Sequence, residues 1–149
     1  MSLDTQIPED DEAAILGVLK DTLAGLKARD AGAVARRYAP DARIANLAPP
    51  LVMTGIDEPG LQAWLDGWDG PVETEPRDVV LRVSGDLAVV YGLQRTSTQR
   101  DGEEAAWWSR VTLALARTPA GWRIVHLHES VPFHMDGSLR AAIDLEPET

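Results

Sequence analysis

Cysteine is absent from the 149 residues, which removes disulfides, thiolate metal ligands and a cysteine nucleophile together. Positive charge is scarce as well: 14 Lys and Arg stand against 24 Asp and Glu, a net charge of −10. Phosphate backbones and anionic lipid are bound by clustered cations, so neither nucleic acid nor a membrane surface is an expected partner. No apolar run approaches the ~20 residues of a spanning helix. The start "MSLDTQIPEDDEAA" lacks a positive segment followed by an apolar stretch, so no secretory leader is read there. A soluble, cytoplasmic protein is expected. Aromatics are few, but tryptophan supplies five of them against two Tyr and one Phe, which concentrates broad apolar surface at a handful of positions.

What is present has the texture of one globular domain of 1–149, with a core over about 9–133 and a tail over 134–149. Ile15, Val18, Leu19, Thr22, Leu23 and Leu26 fall at helical spacing after Pro8, and Glu9, Asp10, Asp11 and Glu12 suit the positive end of that helix. A break at Arg29–Asp30 gives Asp30 the role of N-cap for a short helix through Tyr38, ended by Pro40. "ARIANL" reads as a strand and "APPLVMTG" as a turn-rich connection. A third helix, "DEPGLQAWLDGW", has Asp57 as cap and Pro59 in its first turn. After Gly70 four β-rich runs are separated by "SGD", "RDGE" and "TPAG", the turn chemistry of successive hairpins. Helices followed by an antiparallel meander form an α+β pattern. The stretch "FHMDGSLRAAIDLEPET" is read as a further turn of helix and a loose acidic tail.

Three segments carry a resemblance. "LKARDAGAVARRYAPDARI" has a long helix, a break at Asp, a short helix, and an aromatic followed by Asp-Ala ahead of the first strand. "TGIDEPGLQAWL" leads into the third helix, and "WWSRVTLALARTPAGWRIVHLHESVPF" joins Arg-x-Thr, a Gly-Trp turn and His-x-His-x-Ser with a following Pro. Together, over Glu9 to Phe133, the chain resembles the NTF2-like superfamily, whose cone-shaped fold is shared by nuclear transport factor 2, ketosteroid isomerase, SnoaL-type cyclases and scytalone dehydratase. Its C-terminal part is most similar to the SnoaL-like subgroup that includes the association domain of calcium/calmodulin-dependent kinase II. The resemblance implies helices packed on a curved antiparallel sheet, a pocket between them, and a homodimer through the sheet's outer face. It does not by itself fix a function, because the same fold serves enzymes, binding modules and assembly domains.

Strand alternation puts Trp122, Ile124, His126, His128 and Ser130 on one face, with Arg123, Val125, Leu127, Glu129 and Val131 on the other. Trp108, Arg110, Thr112 and Ala114 share a face of the preceding strand, and Trp107 and Trp108 must split across the sheet. If the even-numbered sets coincide, Arg110 meets two imidazoles and hydroxyls beside a tryptophan, a combination suited to an organic anion or a polarised carbonyl. Each residue also has a plainer reading. Arg110 is either an anion ligand or the partner of a helix carboxylate. His126 and His128 either line the pocket or are hydrogen-bonded core histidines, and the resemblance favours His128 as the working residue. Trp64 and Met53 are candidates for the pocket mouth, Tyr38 reads as packing, and Asp86 as a turn residue.

His-x-His alone makes no metal site, because Glu129 points away along a regular strand and His134 lies beyond Pro132; no metal and no cofactor are expected. The resemblance places Asn46 where ketosteroid isomerase has its carboxylate base, Thr22 where it has its tyrosine, and Arg110 and Thr112 where it has its protonated Asp. An amide cannot abstract a C–H proton near neutrality, so steroid isomerisation is disfavoured, while an isomerase, dehydratase or cyclase reaction with His128 as base stays open. The expected ligand site is therefore His128, Arg110, His126, Trp108, Thr112, Trp64, Ser130 and Asn46, holding a small organic molecule. The contrary reading is a non-catalytic association module whose function is its oligomer.

Overall fold

The computed structural model describes residues 7–148, so Met1–Leu3 and much of the segment read for a leader lie outside the described residues. Helix α1 spans Glu9–Lys27 and opens on four consecutive acidic residues. Pro8 sits at its cap position with ψ 130°, one step earlier than the first turn where the sequence suggested it. Ile15, Val18, Thr22 and Gly25 form its buried stripe. A Cβ at Gly25 would meet Val34 Cγ2 at 2.8 Å, so the glycine allows the next helix, α2 (Ala31–Ala35), to cross closely. Asp30 caps α2 by accepting from the Ala33 amide at 3.1 Å.

The chain leaves α2 earlier than expected: β1 already runs over Tyr38–Ala45 and includes Pro40. Proline is tolerated there because the β1 register is irregular between Tyr38 and Arg43, where no regular ladder bond is demanded of it. The expected connection holds a two-residue strand, β2 (Met53–Thr54), before α3 (Glu58–Asp66), which is capped by Asp57 with Pro59 in its first turn. Three long hairpin strands and a last one follow: β3 (Glu73–Ser84), β4 (Leu87–Arg100), β5 (Glu103–Thr118) and β6 (Gly121–Ser130). The turns between them are those read from the sequence; Asp101 and Gly102 both have positive φ, as a two-residue hairpin turn requires.

The sheet order is β2-β1-β6-β5-β4-β3. Every neighbouring pair is antiparallel except β1 and β6, which run parallel, so the sheet is mixed rather than purely antiparallel. Bulges curve it. On β3 an extra residue is accommodated between Arg77 and Val80, opposite Gly92, where a Cβ would lie 3.0 Å from the backbone of Arg77, Asp78 and Val79. Helix α1 covers one half of the concave face, burying Ile15 and Val18 against Val90, Leu115, Trp122 and Ile124. Arg117 pins that end: it donates to Asp11 at 2.8 Å and Asp86 at 2.9 Å and lies over the Trp122 ring. Asp86 is thus a turn residue with a partner.

Beyond β6 the described residues form no helix. Phe133 bridges Ala141, the Ala142 amide donates to the Pro132 carbonyl at 2.8 Å, and His134 Nε2 lies 2.7 Å from Asp144. Positive φ at Gly137 and Leu139 reverses the chain where the sequence suggested a helical turn, and Ala142 is buried under the loop.

Candidate functional site

One extra residue decides the site. β5 and β6 pair Leu115 with Ile124 but Ala114 with His126, so one step on β5 faces two on β6, and Val125 is bulged. Before the bulge the even residues of β6 face the helices; after it the odd ones do. Trp122 and Ile124 therefore share the inner face with Leu127 and Glu129, while His126, His128 and Ser130 stand on the outer face. The single face expected for Trp122 through Ser130 does not exist. The sequence carries a trace of the break in the adjacent pair Ile124–Val125, where apolar positions switch from even to odd, and regular alternation read past it.

Arg110, Thr112, His126, His128 and Ser130 do come together, as the expected pairing of β5 with β6 required. They line a groove of about 360 Å³, but on the side of the sheet away from the helices. His126 Nδ1 lies 2.8 Å from the Arg43 carbonyl, which only accepts, so Nδ1 carries the hydrogen. Trp108 shares that outer face two positions before Arg110, beneath the guanidinium of Arg77 at 5.9 Å. The other two expected residues are elsewhere. Trp64, on α3, makes an edge contact with Trp68 at 5.9 Å on the helix side of the sheet. Asn46, just past β1, uses its Oδ1 to accept from the Ala48 amide at 3.2 Å.

The inner face holds a second set of polar groups, most of which the sequence reading passed over. Glu129, expected to point away, accepts hydrogen bonds from Ser109 Oγ and Gln94 Nε2, both at 2.6 Å and both on Oε2. Ser109 is buried and directly opposite Gln94 in the register, which fixes both donors. Oε1 accepts no hydrogen bond among the described residues. Tyr38 faces the same side, and burial, with the charge of Glu129 behind it, pushes its phenol well above the ordinary tyrosine range. Its O–H therefore stays protonated, while the ring packs against the clusters under α1 and along β1, as expected.

Among the described residues three further polar atoms are buried without a partner, Trp68 Nε1, Trp107 Nε1 and Thr98 Oγ1, and the register puts Trp107 and Thr98 on the same face of the sheet as Glu129. Trp107 pairs with Thr96 on the inner side of the sheet, and Trp68, just after α3, meets it at 6.5 Å. The Trp107–Trp108 pair thus splits across the faces, as expected. Arg29 Nη1, bonded to the Trp68 carbonyl at 2.6 Å, and the Arg100 guanidinium, 4.2 Å from its ring, hold Trp68 in place. Met53, Ile56, Leu127, Trp68 and Trp107 are half-buried here, whereas Leu115 and Ile124 under α1 are fully buried. This half of the concave face is the less completely covered one.

On this face a half-buried carboxylate with a free oxygen, a protonated phenol and unpartnered indole N–H groups offer a neutral molecule both acceptors and donors of hydrogen bonds. A carboxylate ligand would meet Glu129 and be repelled. On the outer face, by contrast, the groups are cationic or hydrogen-bonding. Neither set groups three His, Cys, Asp or Glu into a metal-binding cluster among the described residues.

Comparison with known proteins agrees with this architecture. A family model described as a SnoaL-like domain matches residues 15–134. An NTF2-like protein of unknown function from Pseudomonas putida superposes with a TM-score of 0.84 at 24% identity, covering 95% of this chain and all (100%) of its own. A proposed dehydratase of the NTF2-like family from Streptomyces avermitilis gives 0.72 at 16% identity, covering 83% and 97%. A proposed calcium/calmodulin-dependent protein kinase II association domain from Xanthomonas campestris gives 0.70 at 21%, covering 91% and 99%. At these identities the likeness establishes the fold. No curated protein matches the chain.

Proposed function

The chain belongs to the SnoaL-like domain family, and from that premise we propose that it binds a small, neutral, cyclic organic molecule on the inner face of the sheet, against Glu129. The observation that carries this reading is the trio of buried, unpartnered donors, Trp68 Nε1, Trp107 Nε1 and Thr98 Oγ1, on the side of the sheet where Glu129 leaves Oε1 free. A buried polar group without a partner costs about 1–3 kcal/mol, and a ligand that satisfies it recovers part of that cost. The chemistry open to such a site is proton transfer next to a carbonyl. Glu129 Oε1 takes the proton and the Tyr38 phenol or an indole N–H donates to the developing oxyanion, the pattern of an isomerase, dehydratase or cyclase. The base is then Glu129 rather than His128.

The test is a thermal-shift screen of cyclic ketones, enones and hydroxylated aromatics against the parent, Glu129→Gln and Trp107→Phe. A ligand at a hundredfold excess over Kd stabilises by about 2.7 kcal/mol, which is several degrees. The parent responds and both variants lose the response. A ligand that shifts all three proteins equally refutes the inner-face site.

A second reading, the association module, is favoured by the outer face, where Val80, Val89, Tyr91 and Leu93 present apolar surface. On this reading two copies pair through that face. Light scattering on the purified chain distinguishes the two: a defined oligomer unaffected by Glu129→Gln, with no ligand response, favours association as the function.

A further inference from the structure

The outer groove has a composition that its surroundings do not explain. In a chain of net charge −10, Arg110 is exposed and has no carboxylate within 4.0 Å among the described residues, although most of the arginines elsewhere in strands β3–β5 have an ion pair or an aromatic ring. The register places hydrogen-bonding groups around it in adjacent pairs: Arg110 opposite Ser130, and Thr112 opposite His128. Ala114 opposite His126, and Ala45 beside His128 on β1, keep the floor shallow, since neither side chain extends beyond a methyl. Arg43 adds a second guanidinium beside His126, steadied by Thr54 Oγ1 at 3.1 Å. The nearest carboxylate in sequence, Glu129, is directed through the sheet to Ser109 and Gln94 by the Val125 bulge. The bulge therefore sorts charge: it puts the anion inside and leaves a cation, two imidazoles and two hydroxyls outside.

From this we infer that the groove formed by Arg110, Thr112, His126, His128 and Ser130 on the outer face is a second, separate site, one that takes the carboxylate or phosphate group of a small molecule. Arg110 offers the planar fork that matches either oxyanion, Thr112 and Ser130 offer O–H donors on the two sides of it, and His128 closes the ring. A groove of about 360 Å³ admits a small acid rather than a polymer. The site is independent of the inner-face reading, because no side chain belongs to both.

Isothermal titration of the full chain with inorganic phosphate and with succinate, at constant ionic strength and pH, tests it. Arg110→Gln, His128→Gln and, as a control away from the groove, Arg82→Gln are titrated alongside. Saturable binding of at least one anion is expected. Arg110→Gln should weaken it about tenfold or more, the usual consequence of losing a charge-assisted hydrogen bond. His128→Gln should weaken it by a smaller factor, and Arg82→Gln should leave it unchanged. Phosphate alone saturating identifies the tetrahedral group as the ligand, and succinate alone the carboxylate. Heats that never saturate overturn the inference, including where a second copy occupies the face. So does an affinity equal in the parent and in both groove variants, provided each variant melts within a degree or two of the parent.

Discussion

Neighbouring residues of β6 should respond in opposite ways to truncation, and the contrast measures the Val125 bulge. His128 is exposed, so His128→Ala is expected to change stability by no more than about 0.5 kcal/mol, the range for surface positions outside a network. Glu129 is half-buried and accepts from Ser109 Oγ and Gln94 Nε2 at 2.6 Å each. Hydrogen bonds to a charged group contribute roughly 1.5–3 kcal/mol apiece, part of which is offset because the carboxylate no longer has to be desolvated. Buried Ser109 and its neighbour Gln94 are also left without an acceptor. The net cost of Glu129→Ala works out at about 2–3 kcal/mol, and for a chain of this length that lowers Tm by about 5–10 °C. Calorimetry or circular dichroism melts of the two variants beside the parent provide the assay, with urea midpoints to check that the m-value holds. Ser109→Ala belongs in the same series, and a cycle with Glu129→Gln should show a coupling of about 1 kcal/mol. If His128→Ala melts several degrees low while Glu129→Ala melts like the parent, the two faces have been assigned the wrong way round. The inner-face site and the outer groove would then both fall.

Two more expectations concern alkaline stability and sheet curvature. The Tyr38 phenol has a folded pKa above its unfolded value, so the unfolded chain releases the proton first; stability is level below about pH 10 and falls as pH rises through that unfolded pKa. In a Tyr91→Phe background, phenolate absorbance should therefore appear together with loss of the far-ultraviolet circular dichroism signal. A phenolate forming near pH 10 in a chain still folded contradicts the burial of Tyr38. At the β3 bulge, Gly92→Ala drives a methyl to 3.0 Å from three backbone neighbours and should cost about 1–3 kcal/mol, visible as a lower urea midpoint; a neutral result would show that the bulge relaxes without strain.

Much of the architecture is legible in the residues themselves. Asp30 and Asp57 mark two helix starts because a short side-chain oxygen in the right place satisfies an amide that the helix leaves unpaired. Gly85 and Asp101–Gly102 mark hairpins because those turns need positive φ. The meeting of Arg110 with His126 and His128 also follows from strand alternation and hairpin pairing. These are local or nearest-neighbour properties, and the chain writes them directly.

Other features are not local. Pro40 reads as a helix stop, yet it lies inside a strand whose irregular register with β6 tolerates it. The stretch from Phe133 onward reads as a turn of helix and a loose acidic tail, but the bridge from Phe133 to Ala141 and the burial of Ala142 fold its described part back. Most consequential is the face on which each β6 side chain stands. Alternation has a period of two, so one inserted residue inverts everything after it, and whether a strand bulges depends on the curvature demanded by its neighbours β1 and β5. The sequence by itself determined the Asp30 and Asp57 helix caps, the hairpin turns and the meeting of Arg110 and Thr112 on β5 with His126, His128 and Ser130 on β6. The tertiary structure alone decided that Glu129 looks inward to Ser109 and Gln94 while His126 and His128 look out, because the pleat carries no memory of which side is the core until the sheet has closed over α1.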